Sequence, residues 1–90
     1  MRYWIIIERG RRNCSAYCPD VPGCVAVGRT VEATIVDMRK ALKFHFEGMA
    51  IDGLEIPQPS ENAREKAAAE LKGSDLLAVV DVSVKSLASA

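Results

Sequence analysis

Residues 30–53, TVEATIVDMRKALKFHFEGMAIDG, form the longest periodic segment of the chain and decide its predicted fold. Apolar side chains recur there in steps of three and four, which places them on one face of an α-helix. The members of this face are Val31, Ile35, Met38, Leu42, Phe46 and Met49. Thr30 is the predicted N-cap, because its hydroxyl can accept a hydrogen bond from the first turn, and Gly53 suits the end of a helix. The segment predicts a long amphipathic helix from Val31 to about Ile51.

Runs of β-branched and aromatic residues precede this helix. Tyr3–Arg9 and Cys14–Cys18 predict two strands, and the polar turn at residues 10–13 joins them as a hairpin. Cys24–Val27 predicts a third, short strand that ends at Gly28. Because short connections join neighbouring strands, these three segments predict an antiparallel meander.

The chain after the helix predicts two further elements. The prolines of residues 55–60 exclude a helix there, and Ser60 is placed to cap the next one. Residues 61–72 are rich in Ala, Glu and Lys, which predicts a short and mostly exposed helix. Leu76–Val84 is apolar at every second position, which predicts a last strand with one buried face.

Together these elements predict the α+β class. We expect a three-stranded antiparallel meander plus a final strand that pairs with the first one. One long helix packs on one face of the sheet, which makes two layers. A single domain then spans residues 1–85, and residues 86–90 form a flexible tail.

Composition excludes several classes of function. Lys and Arg together number 12, as do Asp and Glu, so the net charge is zero and no overall basic field attracts nucleic acid or a membrane surface. No apolar run approaches the ~18 residues that cross a bilayer. The apolar run at residues 3–7 is also too short for a signal peptide, so we expect a cytoplasmic protein. A chain of 90 residues buries only a small core, which favours a homodimer or homotetramer.

The cysteines do not indicate a disulfide framework or a metal site. They are Cys14, Cys18 and Cys24. Their number is odd, no export signal accompanies them, and no C-x-x-C pair occurs. We therefore expect three buried small side chains and no cofactor or metal.

The sequence carries no recognised catalytic motif. His45 is the single histidine, which favours a packed side chain over acid–base catalysis. Glu8 and Asp81 fall on strands that we expect to be neighbours, and they leave open a minor alternative, a Mg²⁺-dependent nuclease. The leading expectation is a protein that is not an enzyme.

The connection CPDVPGC, residues 18–24, is unusually restricted for its length. Pro19 and Pro22 fix φ, Gly23 can adopt a positive φ, and Asp20 can bond to the local backbone. Two interpretations are compatible. The loop turns the chain between the second and third strands at low entropic cost, and it presents a rigid Asp20 to a basic partner.

A second apolar set lies on the far side of the long helix. Val36, Phe44 and Ile51 occur there with Lys40 and Glu47 among them. One explanation is that a strand or the C-terminal segment covers these side chains. The other is an interface with a second copy or with a partner protein.

The ordered landmarks of the chain resemble those of the HicB antitoxin family. They are PDVPGC at residues 19–24, followed by Gly28 and Thr30, a helix containing KALKFHFEGMAIDG at residues 40–53, and EIPQPS at residues 55–60. The resemblance covers roughly residues 3–84. It implies a partial RNase H-like fold without that enzyme's catalytic carboxylates.

The resemblance also implies a function. Members of the family bind and neutralise HicA, a small basic ribonuclease that cleaves mRNA, and many carry a further C-terminal DNA-binding domain. Because this sequence ends at Ala90, we expect either a short form of the family without that domain or a longer chain that was truncated, and no direct nucleic-acid binding from these residues.

The expected function is therefore the antitoxin of a type II toxin–antitoxin pair, acting by direct contact with a HicA-type toxin. The alternative is a stand-alone homo-oligomeric regulatory or scaffold domain without a toxin. The expected partner-binding residues are Tyr17, Asp20, Val36, Phe44, Glu47 and Ile51. The expected structural residues of the loop and helix start are Pro19, Pro22, Gly23, Gly28 and Thr30.

Overall fold

The computed structural model describes residues 1–83. Its elements are β1 (Arg2–Arg9), β2 (Cys14–Tyr17), β3 (Val25–Gly28), α1 (Val31–Ile51), α2 (Ala63–Ala69) and β4 (Leu76–Asp81). The strands form a four-stranded sheet in the order β3-β2-β1-β4, and every neighbouring pair is antiparallel. The predicted α+β class, the meander and the pairing of the last strand with the first are confirmed.

The main core lies between α1 and one face of the sheet. Tyr3, Ile5 and Ile7 of β1 point to this face, and they pack with Met38 and Phe46 of α1, all without exposed surface. The rings of Tyr3 and Phe46 lie 5.2 Å apart in a tilted arrangement. Burial of each large apolar side chain contributes roughly 1.5–3 kcal/mol, so this face supplies most of the fold's stability.

The start of α1 depends on a close approach of its first turn to β3. Thr30 caps the helix, since its Oγ1 accepts a hydrogen bond from the Ala33 backbone N–H at 3.0 Å. A Cβ atom at Gly28 would lie 2.6 Å from Thr34 Oγ1 and 2.8 Å from Thr34 N. Glycine at residue 28 therefore lets the helix begin directly against the strand.

The second face of the sheet carries α2, which corrects the prediction of two layers. Ile6 is fully buried, although it alternates with the core residues of β1 and so faces the opposite side. Ala63 and Ala67 of α2 are also buried, and the guanidinium of Arg64 lies 5.8 Å from the centre of the Trp4 ring. Small alanines allow α2 to pack close to β1, while its remaining residues stay exposed as predicted.

Several element ends differ from the predicted ones. The third strand begins at Val25 because Cys24 closes a turn, and α2 is shorter than the predicted helix at residues 61–72. Asn62, not Ser60, is the N-cap of α2, and the hydroxyl and backbone N–H of Ser60 donate to the Asp20 carboxylate. β4 ends at Asp81, and Val84 and the predicted tail at residues 86–90 lie outside the described residues.

Candidate protein-binding surface

The loop at residues 18–24 consists of two successive β-turns. The N–H of Val21 donates to the Cys18 carbonyl at 3.0 Å, and the N–H of Cys24 donates to the Val21 carbonyl at 3.4 Å. A proline occupies the second position of each turn. Gly23 has φ of 87°, which suits the third position of a type II turn. The prolines and the glycine thus fix a rigid connection.

The Asp20 carboxylate accepts hydrogen bonds from another segment of the same chain. Its Oδ2 accepts a hydrogen bond from the Ser60 N–H at 2.9 Å, and its Oδ1 accepts one from the Ser60 hydroxyl at 2.7 Å. Nearby, the Tyr3 hydroxyl donates to the Pro57 carbonyl at 2.6 Å. The double turn and the proline-rich segment 55–60 are therefore held to each other and to the core. Each oxygen of the Asp20 carboxylate thus accepts one hydrogen bond from within the chain, and contact of Asp20 with a partner stays a prediction.

The three cysteines are free and buried, as the sequence predicts. Burial raises the pKa of the Cys18 thiol to about 11, and it raises the pKa of Cys24 as well. A raised thiol pKa keeps the side chain protonated at neutral pH, so these two cysteines are poor nucleophiles. They serve as small apolar side chains beneath the loop.

An exposed apolar ridge runs along the C-terminal half of α1. Phe44 is 79% exposed and Ile51 is 83% exposed. Residues seven apart on a helix lie almost one above the other, so these two side chains form one ridge, with Glu47 between them. No strand or loop among residues 1–83 covers this ridge, so the explanation that a described element hides it is wrong.

Val36 lies apart from the ridge formed by Phe44 and Ile51. It is 39% exposed and occupies the middle of α1. Eight residues separate it from Phe44, which turns its side chain by about 80° around the helix axis. Val36 therefore lies at the margin of the surface that Phe44 dominates.

A groove of about 500 Å³ separates the ridge from the start of β3. Its apolar walls are formed by Val25, Ala41, Phe44, Met49 and Leu54. Its polar side chains are His45 and Asp52, and Gly23 and Cys24 of the loop also line it. The double turn therefore contributes to this surface through its backbone position rather than through Asp20.

Tyr17 lies on the other face of the sheet from α1. Its hydroxyl donates to Glu70 Oε1 at 2.9 Å. Burial, followed by this hydrogen bond, raises the pKa of Tyr17 to about 12. The structure does not bring Tyr17 together with the α1 ridge, and the two belong to different surfaces.

The nuclease alternative requires Glu8 and Asp81 to meet, and the strand register separates them. β1 and β4 are neighbours as predicted, but Asp81 pairs with Arg2 at the far end of β1. Six residues of extended chain between Arg2 and Glu8 span roughly 20 Å. Among residues 1–83 no group of three or more metal-binding side chains occurs.

No helix within the described part of the chain has the length and apolar character needed to cross a membrane.

Comparison with known proteins identifies the family. Residues 3–90 match the family described as HicB-like antitoxin of bacterial toxin–antitoxin systems. The chain belongs to the HicB-like antitoxin family. A 14.9 kDa protein from the rep-hol intergenic region of Haemophilus phage HP1 is 38% identical over 58 residues, which are 64% of this chain. This aligned part spans 44% of the length of that phage protein.

Solved HicB structures share the fold. The N-terminal domain of the Burkholderia pseudomallei antitoxin HicB superposes with a TM-score of 0.78 at 22% identity, over 93% of this chain and 100% of that domain. A chain of the HicA3 and HicB3 toxin–antitoxin complex superposes with a TM-score of 0.70 at 23% identity, over 92% of this HicB-like chain and 99% of the other.

Two features of this HicB-like chain were not predicted from its sequence: the exposure of three apolar side chains and one hydrogen-bonded contact between distant residues. Val25, Val27 and Leu54 are more than half exposed, but a short apolar strand such as VAVG is more often buried. The contact between Asp20 and Ser60 joins residues 40 positions apart, and nothing in either local sequence indicates the other. Once the strand order is known, an uncharged strand at the edge of the sheet is the signal that identifies Val25 and Val27 as exposed.

Proposed function

We propose that this chain is an antitoxin that neutralises a HicA-type toxin by direct protein–protein contact in the cytoplasm. Inhibition results from covering the toxin's active site or RNA-binding surface, and it requires no catalysis by the antitoxin. The observation that carries this proposal is the exposed apolar ridge of Phe44 and Ile51 on a member of an antitoxin family. The HicA-containing complex among the structural neighbours supports the choice of toxin class.

The charges around the ridge suit a basic partner. Glu47 lies between the two ridge residues, and Asp52 follows the helix and lines the groove. The last turn of α1 contains no basic residue, so the partial negative charge of the helix C-terminus is not offset there. Complementary charges of this kind mainly raise the association rate and favour the correct partner.

The test is substitution of Phe44 by aspartate. Because the side chain is 79% exposed, F44D leaves the fold stable, within about 0.5 kcal/mol of the parent chain. A central aromatic residue of an interface typically contributes ~2–4 kcal/mol, so toxin affinity falls by roughly 30- to 1000-fold. Isothermal titration calorimetry with the purified toxin measures the loss.

The matched control is Val79→Asp, which introduces the same charge at a 42% exposed position of β4. V79D binds the toxin as the parent chain does. Unchanged toxin affinity in a folded F44D protein would contradict the proposed contact. If the toxin is bound by neither the parent chain nor the variants, the alternative of a toxin-free regulatory or scaffold domain takes its place.

A further inference from the structure

β4 lies at one edge of the sheet, and its outer side carries backbone groups that β1 does not use. The Val82 N–H donates to the Met1 carbonyl at 2.8 Å, and the Met1 ammonium donates to the Val82 carbonyl at 2.9 Å. These two residues therefore extend the β1–β4 ladder as a hydrogen-bonded pair. Because bonded and non-bonded pairs alternate in an antiparallel ladder, the N–H and C=O groups of Val79 and Asp81 point away from β1. They are free to bond an extended chain laid beside β4.

A positively charged cleft lies beside the end of this strand. Arg39, Lys40 and Lys43 of α1 are exposed, and they line a cavity of about 340 Å³ together with residues 81–83. The Asp81 carboxylate is paired with the N-terminal ammonium at 3.2 Å. In the described part of the chain, none of the three cations of α1 has a carboxylate within 4 Å. The cleft therefore suits a group with negative charge.

We propose that β4 and this cleft bind an acidic, extended segment of a partner protein, which joins the sheet as a fifth strand. Residues that lie opposite each other in neighbouring strands share one face of the sheet. Val80 and Val82 belong to the core on the α1 side. Side chains of the added strand opposite these two valines therefore point to the α1 side, where the cations lie.

The spacing of the cations suits a strand with acidic residues at every second position. Two side chains on the same face of a strand are about 6.6 Å apart. Arg39 and Lys43 are four residues apart in α1, which is about 6 Å along the helix axis. On the other face of the sheet, Val79 is partly exposed and suits apolar side chains at the intervening positions. The partner segment thus alternates acidic and apolar residues.

The hydrogen-bonding groups of the edge favour a peptide over a nucleic acid. Val79 and Asp81 present both donors and acceptors, and the backbone of an extended peptide bonds to both. Phosphodiester oxygens only accept hydrogen bonds, so a nucleic-acid backbone leaves the carbonyls without partners. Residues 76–80, LLAVV, contain neither a charge nor a proline that would hinder the pairing of another strand.

This surface goes beyond the proposed antitoxin function and does not depend on a toxin. Arg39 is turned by about 140° around the helix axis from Phe44, so the cleft and the apolar ridge lie on different sides of α1. A basic toxin matches the acidic residues beside the ridge and is repelled by the cleft. One chain can therefore bind both partners at the same time.

The first experiment measures fluorescence anisotropy of a fluorescein-labelled peptide, EVEVEVE, titrated with the purified chain at low ionic strength. We expect saturable binding, and we expect EEEEVVV, which has the same composition, to bind about tenfold more weakly. The double variant R39E/K43E weakens binding of EVEVEVE by about tenfold or more. The matched control R11E/R12E makes the same charge change in the exposed β1–β2 turn and leaves binding unchanged. F44D also leaves it unchanged, and circular dichroism confirms that all variants are folded.

Amide hydrogen exchange followed by NMR tests the strand contact itself. We expect the amides of Val79 and Asp81 to exchange rapidly in the free chain and more slowly with EVEVEVE bound. Absence of binding, equal binding of EEEEVVV or full affinity in R39E/K43E would overturn the proposal. So would protection of both amides in the free chain, because another copy or another segment would then occupy the edge. Tighter binding of labelled oligouridylate, in competition with the peptide, would assign the cleft to a nucleic acid and would also overturn it.

Discussion

Replacing Gly28 by alanine tests the reasoning about how α1 is positioned on the sheet. The added Cβ would lie 2.6 Å from Thr34 Oγ1, 2.8 Å from Thr34 N and 3.0 Å from Thr34 Cα. Two of these three atoms belong to the backbone of α1, so the clash cannot be relieved by rotating a side chain. The first turn of the helix has to move away from β3 by several tenths of an ångström.

The expected cost follows from these contacts. Overpacking of a well-packed site costs about 1–3 kcal/mol. Moving Thr34 also weakens two of its hydrogen bonds to the Thr30 carbonyl, from the hydroxyl at 2.7 Å and from the N–H at 3.0 Å, which adds about 1 kcal/mol. Alanine also lowers the conformational entropy of the unfolded chain, which raises the free energy of unfolding by about 0.4–1 kcal/mol. The net loss is about 2 kcal/mol, or about 8–16 °C in Tm for a domain of this size.

Thermal unfolding followed by circular dichroism measures this loss, and Gly48→Ala is the matched control. Gly48 lies inside α1, and a Cβ atom there meets nothing within 4 Å. Since alanine is a better helix former than glycine, G48A raises the stability by about 0.5–1 kcal/mol. The same chemical change thus acts in opposite directions at the two positions. A Tm of G28A equal to that of the parent chain would refute the close-approach argument.

Three further predictions concern the loop and its surroundings. Asp20→Ala removes both hydrogen bonds to Ser60, so stability falls by about 2–4 kcal/mol in urea unfolding, whereas Glu61→Ala, at an exposed neighbouring position, changes it little. Alkylation by iodoacetamide at pH 8 is slow for Cys18 in the folded chain, because its pKa is about 11, and a rate equal to that in guanidinium chloride would contradict its burial. Tyr17, with a folded pKa of about 12 against 10 in the unfolded chain, contributes stability that is present below pH 10 and is lost as the pH rises towards 12. In an alkaline absorbance titration the last tyrosinate signal shifts to lower pH in Glu70→Gln, and an unchanged curve would contradict the role of that hydrogen bond.

The architecture could be predicted because it depends on local periodicity. The helix face from Val31 to Met49 repeats at the helical period, and Thr30 and Gly53 mark its ends, so the bounds of α1 agree with the prediction. The pairing of β4 with β1 also follows from the element order. The prolines and Gly23 of the loop have local conformational preferences, and the turns that they form are the expected ones.

The remaining features depend on contacts between distant parts of the chain. Asp20 and Ser60 are 40 positions apart, so a pattern suited to N-capping at Ser60 gave the wrong role for that residue. The same limit applies to Glu8 and Asp81, whose separation follows from strand register and not from strand adjacency. The α2 helix covers the second face of the sheet through two alanines, whose small side chains give a weak hydrophobic signal.

The candidate surface was predicted only in part. The periodicity of α1 placed Phe44 and Ile51 away from the core, and both are exposed in the structure. Val25 and Leu54 were not predicted, because their exposure depends on which strand lies at the sheet edge and on the path of the chain after α1. Apolar exposure can be inferred from a pattern only after the neighbours of each element are known.

The central claim is that this chain acts as an antitoxin by binding a toxin directly. The most direct test is co-expression with the short reading frame beside its gene, following growth and then co-elution from a sizing column. We predict that the neighbouring protein alone stops growth, and that this chain restores growth and elutes with it, whereas F44D does neither. A harmless neighbour, or rescue without any complex between the two proteins, would contradict the account.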